Sequence, residues 1–135
     1  MKLNTKVRYG LRAVTQIASS TEVLLQKEIA EKQKIPLKYL DTIITGLRTK
    51  GLIKNFKGKK SGYVMAKRPS EITIYDVYRA FEPEIAIVDC LCEPNTCQIT
   101  ENCEVKDFWA NINSQFRQTL SNTTIKDILD KNLKT

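Results

Sequence analysis

The sequence predicts a mainly α chain with one small β-hairpin, and three observations carry that prediction. Two amphipathic segments flank a break at Lys34-Ile35-Pro36. Two strand-like runs flank the basic stretch Lys57-Gly58-Lys59-Lys60-Ser61-Gly62. Beyond the last cysteine, Val105, Phe108, Trp109, Ile112, Phe116 and Leu120 recur at helical steps and predict one long helix with a wide aromatic stripe.

The first segment, Thr5 to Ala18, has Val7, Leu11, Val14, Ile17 and Ala18 at three- and four-residue steps, so it reads as a helix. Lys6, Arg8 and Arg12 lie off that stripe. A short helix follows at Gln26 to Gln33, with Ile29 and Ala30 inward. Proline pushes the residue before it out of the helical region and suits the first turn of a new helix, so a tight turn at Ile35-Pro36 starts a third helix running to Lys50. Leu40, Ile43, Ile44 and Leu47 form its buried stripe, Lys38, Tyr39, Asp41, Thr42 and Thr45 project elsewhere, and Gly51 is a natural stop.

Gly51 to Phe56 and Tyr63 to Ala66 then read as strands joined by the cationic turn, a hairpin with a basic tip. A helix-turn-helix followed by such a hairpin is a winged helix, which would occupy residues 1–68. Residues 69–89 read as a linker. Thr73 and Asp76 form a capping signature there, and Ile74, Val77 and Phe81 line a helix ending near Pro83. Residues 90–103 form a cysteine loop, and residues 104–135 a dimerisation helix with a short helix after it. That last helix, begun at Thr124, packs against the first helix or against a partner.

Charge divides the chain. Residues 1–68 carry 16 Lys/Arg and 4 Asp/Glu, a balance of +12; residues 69–135 carry 6 and 11, a balance of −5. A basic half joined to an acidic one suggests that the first half meets a polyanion, with double-stranded DNA the leading candidate. Arg8, Lys38, Lys57, Lys59 and Lys60 would meet phosphates. Tyr39, Asp41 and Thr42 would meet base edges or backbone, Asp41 accepting from a cytosine amino group, and Gly58 would permit close approach. No stretch approaches the length of apolar sequence that spans a membrane, and Met1 to Lys6 lacks the apolar core of a signal peptide, which points to the cytoplasm.

All four cysteines, Cys90, Cys92, Cys97 and Cys103, fall within fourteen residues rich in turn formers. Thiols clustered in a loop suggest an iron–sulfur cluster, then structural zinc, then redox-active thiols. The chain has no histidine, so imidazole is excluded as ligand and as general base, and with it Ser-His-Asp and Cys-His catalysis. A small thiol or iron–sulfur redox protein remains a rival reading to a non-enzymatic DNA-binding regulator.

Several motifs carry a resemblance over nearly the whole chain. Met1 to Ala13 (Met-Lys-Leu-x-x-Lys-x-Arg-Tyr-Gly-Leu-Arg-Ala), Ile35-Pro-Leu-Lys-Tyr-Leu-Asp41, Leu47-Arg-x-x-Gly-Leu-Ile53 with Lys57-Gly-x-x-Ser-Gly-Tyr63, Ile72-Thr-Ile-x-Asp-Val77, and Cys97-x5-Cys103-x5-Trp109 resemble the IscR/NsrR/CymR superfamily of winged-helix bacterial repressors. The resemblance implies a homodimeric repressor that binds an iron–sulfur cluster, [2Fe–2S] or [4Fe–4S], through three cysteines. It points to Cys90, Cys97 and Cys103, with Cys92 extra or an alternative first ligand. Lys106 stands where one branch has a histidine ligand, and Arg8 where another has an aspartate from the partner chain. The fourth ligand therefore stays open among Cys92, Glu101, Glu104 and Asp107.

Overall fold

A computed structural model describes residues 2–58, 61–88 and 104–133. The predicted ligands Cys90, Cys92, Cys97 and Cys103, and the lysines Lys59 and Lys60, lie outside the described residues. Helix α1 spans Thr5–Ser19, with the Asn4 side chain accepting from the Lys6 N–H at 2.8 Å to cap it. It buries Val7, Gly10, Ala13, Val14 and Ile17. Helix α2, Gln26–Gln33, ends at Lys34, a non-glycine residue in the left-handed region at φ 57°. The Ile35 N–H then bonds to the Ala30 carbonyl at 3.1 Å, and its buried side chain turns the backbone into α3, Leu37–Thr49. Leu40, Ile43, Ile44 and Leu47 are buried, as their spacing predicts. Gly51, at φ +81°, stops the helix, and the Leu52 N–H bonds back to the Leu47 carbonyl at 3.0 Å.

Strands β1, Ile53–Phe56, and β2, Gly62–Met65, pair antiparallel, with Ile53 opposite Met65 and Phe56 opposite Gly62. β1 is shorter than the sequence suggests, because Gly51 belongs to the helix stop, and β2 lies one residue earlier than Tyr63 to Ala66. Leu24 adds an isolated antiparallel bridge to β2, giving and accepting backbone bonds with Tyr63 at 3.3 and 2.9 Å. A Cβ at Gly62 would come within 3.0 Å of the Leu24 carbonyl, so this bridge needs glycine there. The result is a winged helix.

A 3-10 turn at Pro69–Glu71 leads to α4, Ile74–Arg79, opened by the Thr73–Asp76 capping box. The helix is shorter than predicted. Its last turn tightens, the Phe81 N–H bonding to the Tyr78 carbonyl at 3.1 Å, and Phe81 lies beyond the helix instead of on its stripe. The segment after it is tied down on two sides. Glu82 accepts a hydrogen bond from the Asn4 side chain. Asn113 donates to the Ile85 carbonyl at 2.9 Å and accepts from the Ile87 N–H at 3.0 Å.

Helix α5, Lys106–Asn122, packs on α4, with Val105 as its N-cap rather than a member of the helix. Helix α6, Ile125–Leu129, begins with a second capping box, Thr124–Asp127. The two boxes lie side by side. Thr73 and Thr124 form an isolated antiparallel bridge, with Ile74 N–H to Thr123 carbonyl at 2.9 Å and Ile125 N–H to Ile72 carbonyl at 2.8 Å. Ile125 is fully buried with α1 and the 3-10 turn, so the final helix joins the core of its own chain.

Truncating this plug, Ile125→Ala, is expected to destabilise the protein by about 2–5 kcal/mol in equilibrium denaturant unfolding. A loss near zero would place α6 outside the cooperative core.

Candidate nucleic-acid interface

The turn at Lys34–Pro36 leaves one face of α3 in solvent. Leu37, Lys38, Asp41, Thr42, Thr45 and Arg48 are exposed along it. No side chain caps its N-terminus, where Lys38 adds a full charge to the positive end of the helix dipole. Tyr39 is half-buried and sets its ring edge-on to Tyr9 of α1, centroids 5.4 Å apart at 86°. These two rings, with Thr5, Pro36, Lys38 and Thr42, line an open cleft between the starts of α1 and α3.

Arg8 is exposed beside this cleft and donates to the Thr5 hydroxyl at 3.1 Å. Arg12 lies over the Tyr9 ring at 5.3 Å, and its Nε donates to Gln33 at 3.3 Å, which holds a guanidinium on the same side of the helix pair. Asp41 is exposed yet already engaged, since it accepts from the Gln26 side chain. Gln26 in turn accepts from the Tyr63 hydroxyl at 3.4 Å. The wing, the start of α2 and the recognition face of α3 are thereby linked through one glutamine. Arg48 ties α3 to the wing again by donating to Asn55 at 3.2 Å.

On the wing, Lys57 is exposed at the described edge of the tip. Gly58 lies against the Phe56 ring, which is 43% exposed, and a Cβ there would come within 3.0 Å of it. Gly58 therefore lets the turn cross an aromatic side chain, a packing reason beside the one predicted. Of the predicted contact set, α1 and α3 bring Arg8, Lys38, Tyr39 and Thr42 together, Asp41 sits across from them on Gln26, and Lys57 stands apart on the wing. Tyr9 and Gln26 were not legible as site residues, because their roles arise from tertiary neighbours.

The predicted dimerisation stripe divides. Val105, Phe108 and Ile112 are exposed, whereas Trp109, Phe116 and Leu120 are half-buried. Leu120 packs against the core, and Phe116 lines a cavity with Ile85, Ile87, Tyr78 and Asn4. Burial, then the neighbouring Glu82 carboxylate, holds the Tyr78 phenol above its usual pKa, so it is neutral near pH 7. Among the described residues no His, Cys, Asp or Glu group is arranged to hold a metal ion, and no helix is long and apolar enough to cross a membrane.

Comparison with known proteins decides the family. Residues 3–131 match Rrf2, described as an iron-dependent transcriptional regulator. The chain belongs to the Rrf2 family. A transcriptional regulator of the helix-turn-helix type from Aquifex aeolicus is 32% identical over 133 residues, covering 96% of this chain and 92% of that one. The solved structure of CymR, the global cysteine regulator of B. subtilis, superposes with a TM-score of 0.81 at 28% identity, covering 98% of each chain. That of IscR from T. potens gives 0.77 at 26% identity, covering 97% of this chain and 88% of that one. The fold is thus the winged helix of Rrf2 regulators, and the protein is a transcriptional regulator rather than an enzyme, which sets aside the redox-protein reading.

The exposed wing lysine Lys57 generates a salt test. With fluorescein-labelled duplex DNA, Lys57→Ala is expected to weaken binding to all sequences alike and to flatten the slope of log affinity against log salt by about 1. Loss confined to one sequence would instead make Lys57 a base-reading residue.

Proposed function

We propose that this chain is a homodimeric, cytoplasmic repressor that binds double-stranded DNA through α3 and the wing and senses through its four-cysteine segment. The observation that carries the DNA reading is the solvent face of α3, bordered by Arg8, Lys38 and the wing lysine Lys57, on a half-chain of balance +12. Phosphate neutralisation by these cations supplies affinity without sequence. Tyr39 and Thr42 are the candidates for reading bases or sugar. Asp41 is held by Gln26, so its carboxylate reaches a cytosine amino group only while sharing that bond.

The exposed apolar run Val105, Phe108 and Ile112 supports a second copy as the partner of α5. Trp109, Phe116 and Leu120 back that face from the side of their own chain. Two recognition helices related by a twofold axis would then meet two half-sites.

The donor set of the cysteine segment fits an iron–sulfur cluster: several thiolates close in sequence, and no imidazole. Cys90, Cys97 and Cys103 would hold it, with Cys92 as the alternative or extra thiolate. Glu104 and Asp107 stand exposed at the head of α5 and are carboxylate candidates for the remaining position, as is Glu101. When bound, such a cluster supplies a tie across the segment that oxidants, nitric oxide or iron shortage remove. The chain's part is mechanical. Residues 81–87 reach α1 through Glu82 and α5 through Asn113, so a change of arrangement in the segment bears on both helices. DNA affinity shifts only as far as the two arrangements are bound differently. A second reading, sensing by thiols without a cluster, is favoured by Lys106, an ammonium at the first position of α5 where one branch of the resembling family has a histidine ligand.

Two experiments follow. Anaerobically purified protein is expected to show broad absorption near about 400 nm with iron and acid-labile sulfide, lost in Cys97→Ala. A colourless protein that holds zinc would make the segment a structural metal site, and one with no metal after reconstitution would leave the thiol reading. Separately, Phe108→Asp with Ile112→Asp is expected to convert the dimer to a monomer in sedimentation velocity, since charges cannot be buried unpaired across the interface. A double variant that stays dimeric would move the interface off α5.

A further inference from the structure

Two helix-interior glycines have one explanation. Glycine inside a helix is unfavourable by about 1 kcal/mol relative to alanine, so it marks a close approach. At Gly10 of α1 and Gly46 of α3 the approaching group is the same: the Phe81 ring. A Cβ at Gly10 would fall within 3.0 Å of one edge of the ring, and a Cβ at Gly46 within 3.0 Å of the other. The ring therefore sits between the two helices, filling the space that two methyl groups would take. Gly46 lies one position before Leu47 of the buried stripe and two before Arg48, which reaches the wing. Phe81 precedes Glu82, which is bonded to Asn4 at the head of α1, and opens the segment that Asn113 of α5 holds at Ile85 and Ile87.

We propose that Phe81 is a positioning residue for DNA binding: its ring, keyed between Gly10 and Gly46, sets where α3 lies against α1 and carries the placement of residues 81–87 to the recognition helix. The proposal rests on the DNA-binding reading above. Its physical basis is that packed interiors do not deform continuously. A ring in contact on both edges cannot shift without moving one helix or opening a void. The ring's contacts with Gly10 and Gly46 are apolar, so this step of the coupling is insensitive to ionic strength, unlike the phosphate contacts.

The test compares the full-length wild type with Gly46→Ala, Phe81→Leu and the double variant. The probes are a duplex enriched by the wild type from a random pool and an unselected duplex of equal length. Gly46→Ala and Phe81→Leu are each expected to lower affinity for the enriched duplex by tenfold or more, with less than twofold change on the unselected one. The double variant, in which the smaller leucine admits the new methyl group, is expected to recover most of the loss. Thermal midpoints measured alongside identify any variant that is merely unfolded, and Phe81→Leu carries the test if Gly46→Ala does not fold. Folded variants that bind the enriched duplex like the wild type would overturn the proposal. So would losses that are equal on both duplexes and are not recovered in the double variant. A wild type that enriches no duplex would overturn the DNA-binding reading itself, and the proposal with it.

Discussion

Helix α1 is packed upon by α2, α3, α4, α6 and the wing strand β2, and its five buried positions must satisfy all of them together. Val7, Ala13, Val14 and Ile17 supply ordinary apolar burial, while Gly10 admits a ring from outside the helix-turn-helix. The recognition helix also rests on α2 and β1. It is placed by its contact with α1, by Ile35 at the turn, and by Phe81 between the two. Because a packed interior resists change of volume at any one position, disturbance at the far end of α4 is felt at α3.

Around this apolar frame runs a thin polar lacing. Gln26 joins Asp41 to Tyr63, Arg48 joins α3 to Asn55, and Arg12 is held by Tyr9 and Gln33. Each bond is exposed or half-buried and is worth little alone. The first two link the wing to α3, and the third joins α1 to α2. Lys38, Lys57 and Arg8 remain on the surface, where a polyanion can meet them.

Local signals were legible where one helix or turn suffices to explain them. The limits of α2, the stripe of α3, the stop at Gly51 and the box at Thr73 follow from period, proline, glycine and capping chemistry in a few residues. What escaped depends on contacts between distant segments. The mid-helix glycines Gly10 and Gly46 were a visible signal, but nothing local names Phe81 as the group they admit. Periodicity draws Val105 to Leu120 as one face. It has no information on Asn113 and Phe116 receiving the segment before the cysteines, which gives half of that face to the chain itself. The cysteines were the plainest feature of the sequence, and they fall outside the described residues.

The paired capping boxes at Thr73 and Thr124 have a mechanical consequence. The backbone bridge there clamps the C-terminal end of α5 to the core, while its other end carries the exposed Phe108 and Ile112. A helix of 17 residues is about 25 Å long, a lever clamped at Thr123 and tied again midway at Asn113. A tilt of about 5° at the clamp displaces its far end by about 2 Å, by simple geometry over that length. In a twofold pair built on that far end, the tilts of both copies add in setting the separation of the two recognition helices. The stiffness of a short β-bridge, remote from any base, would then decide how much variation in half-site spacing such a dimer tolerates.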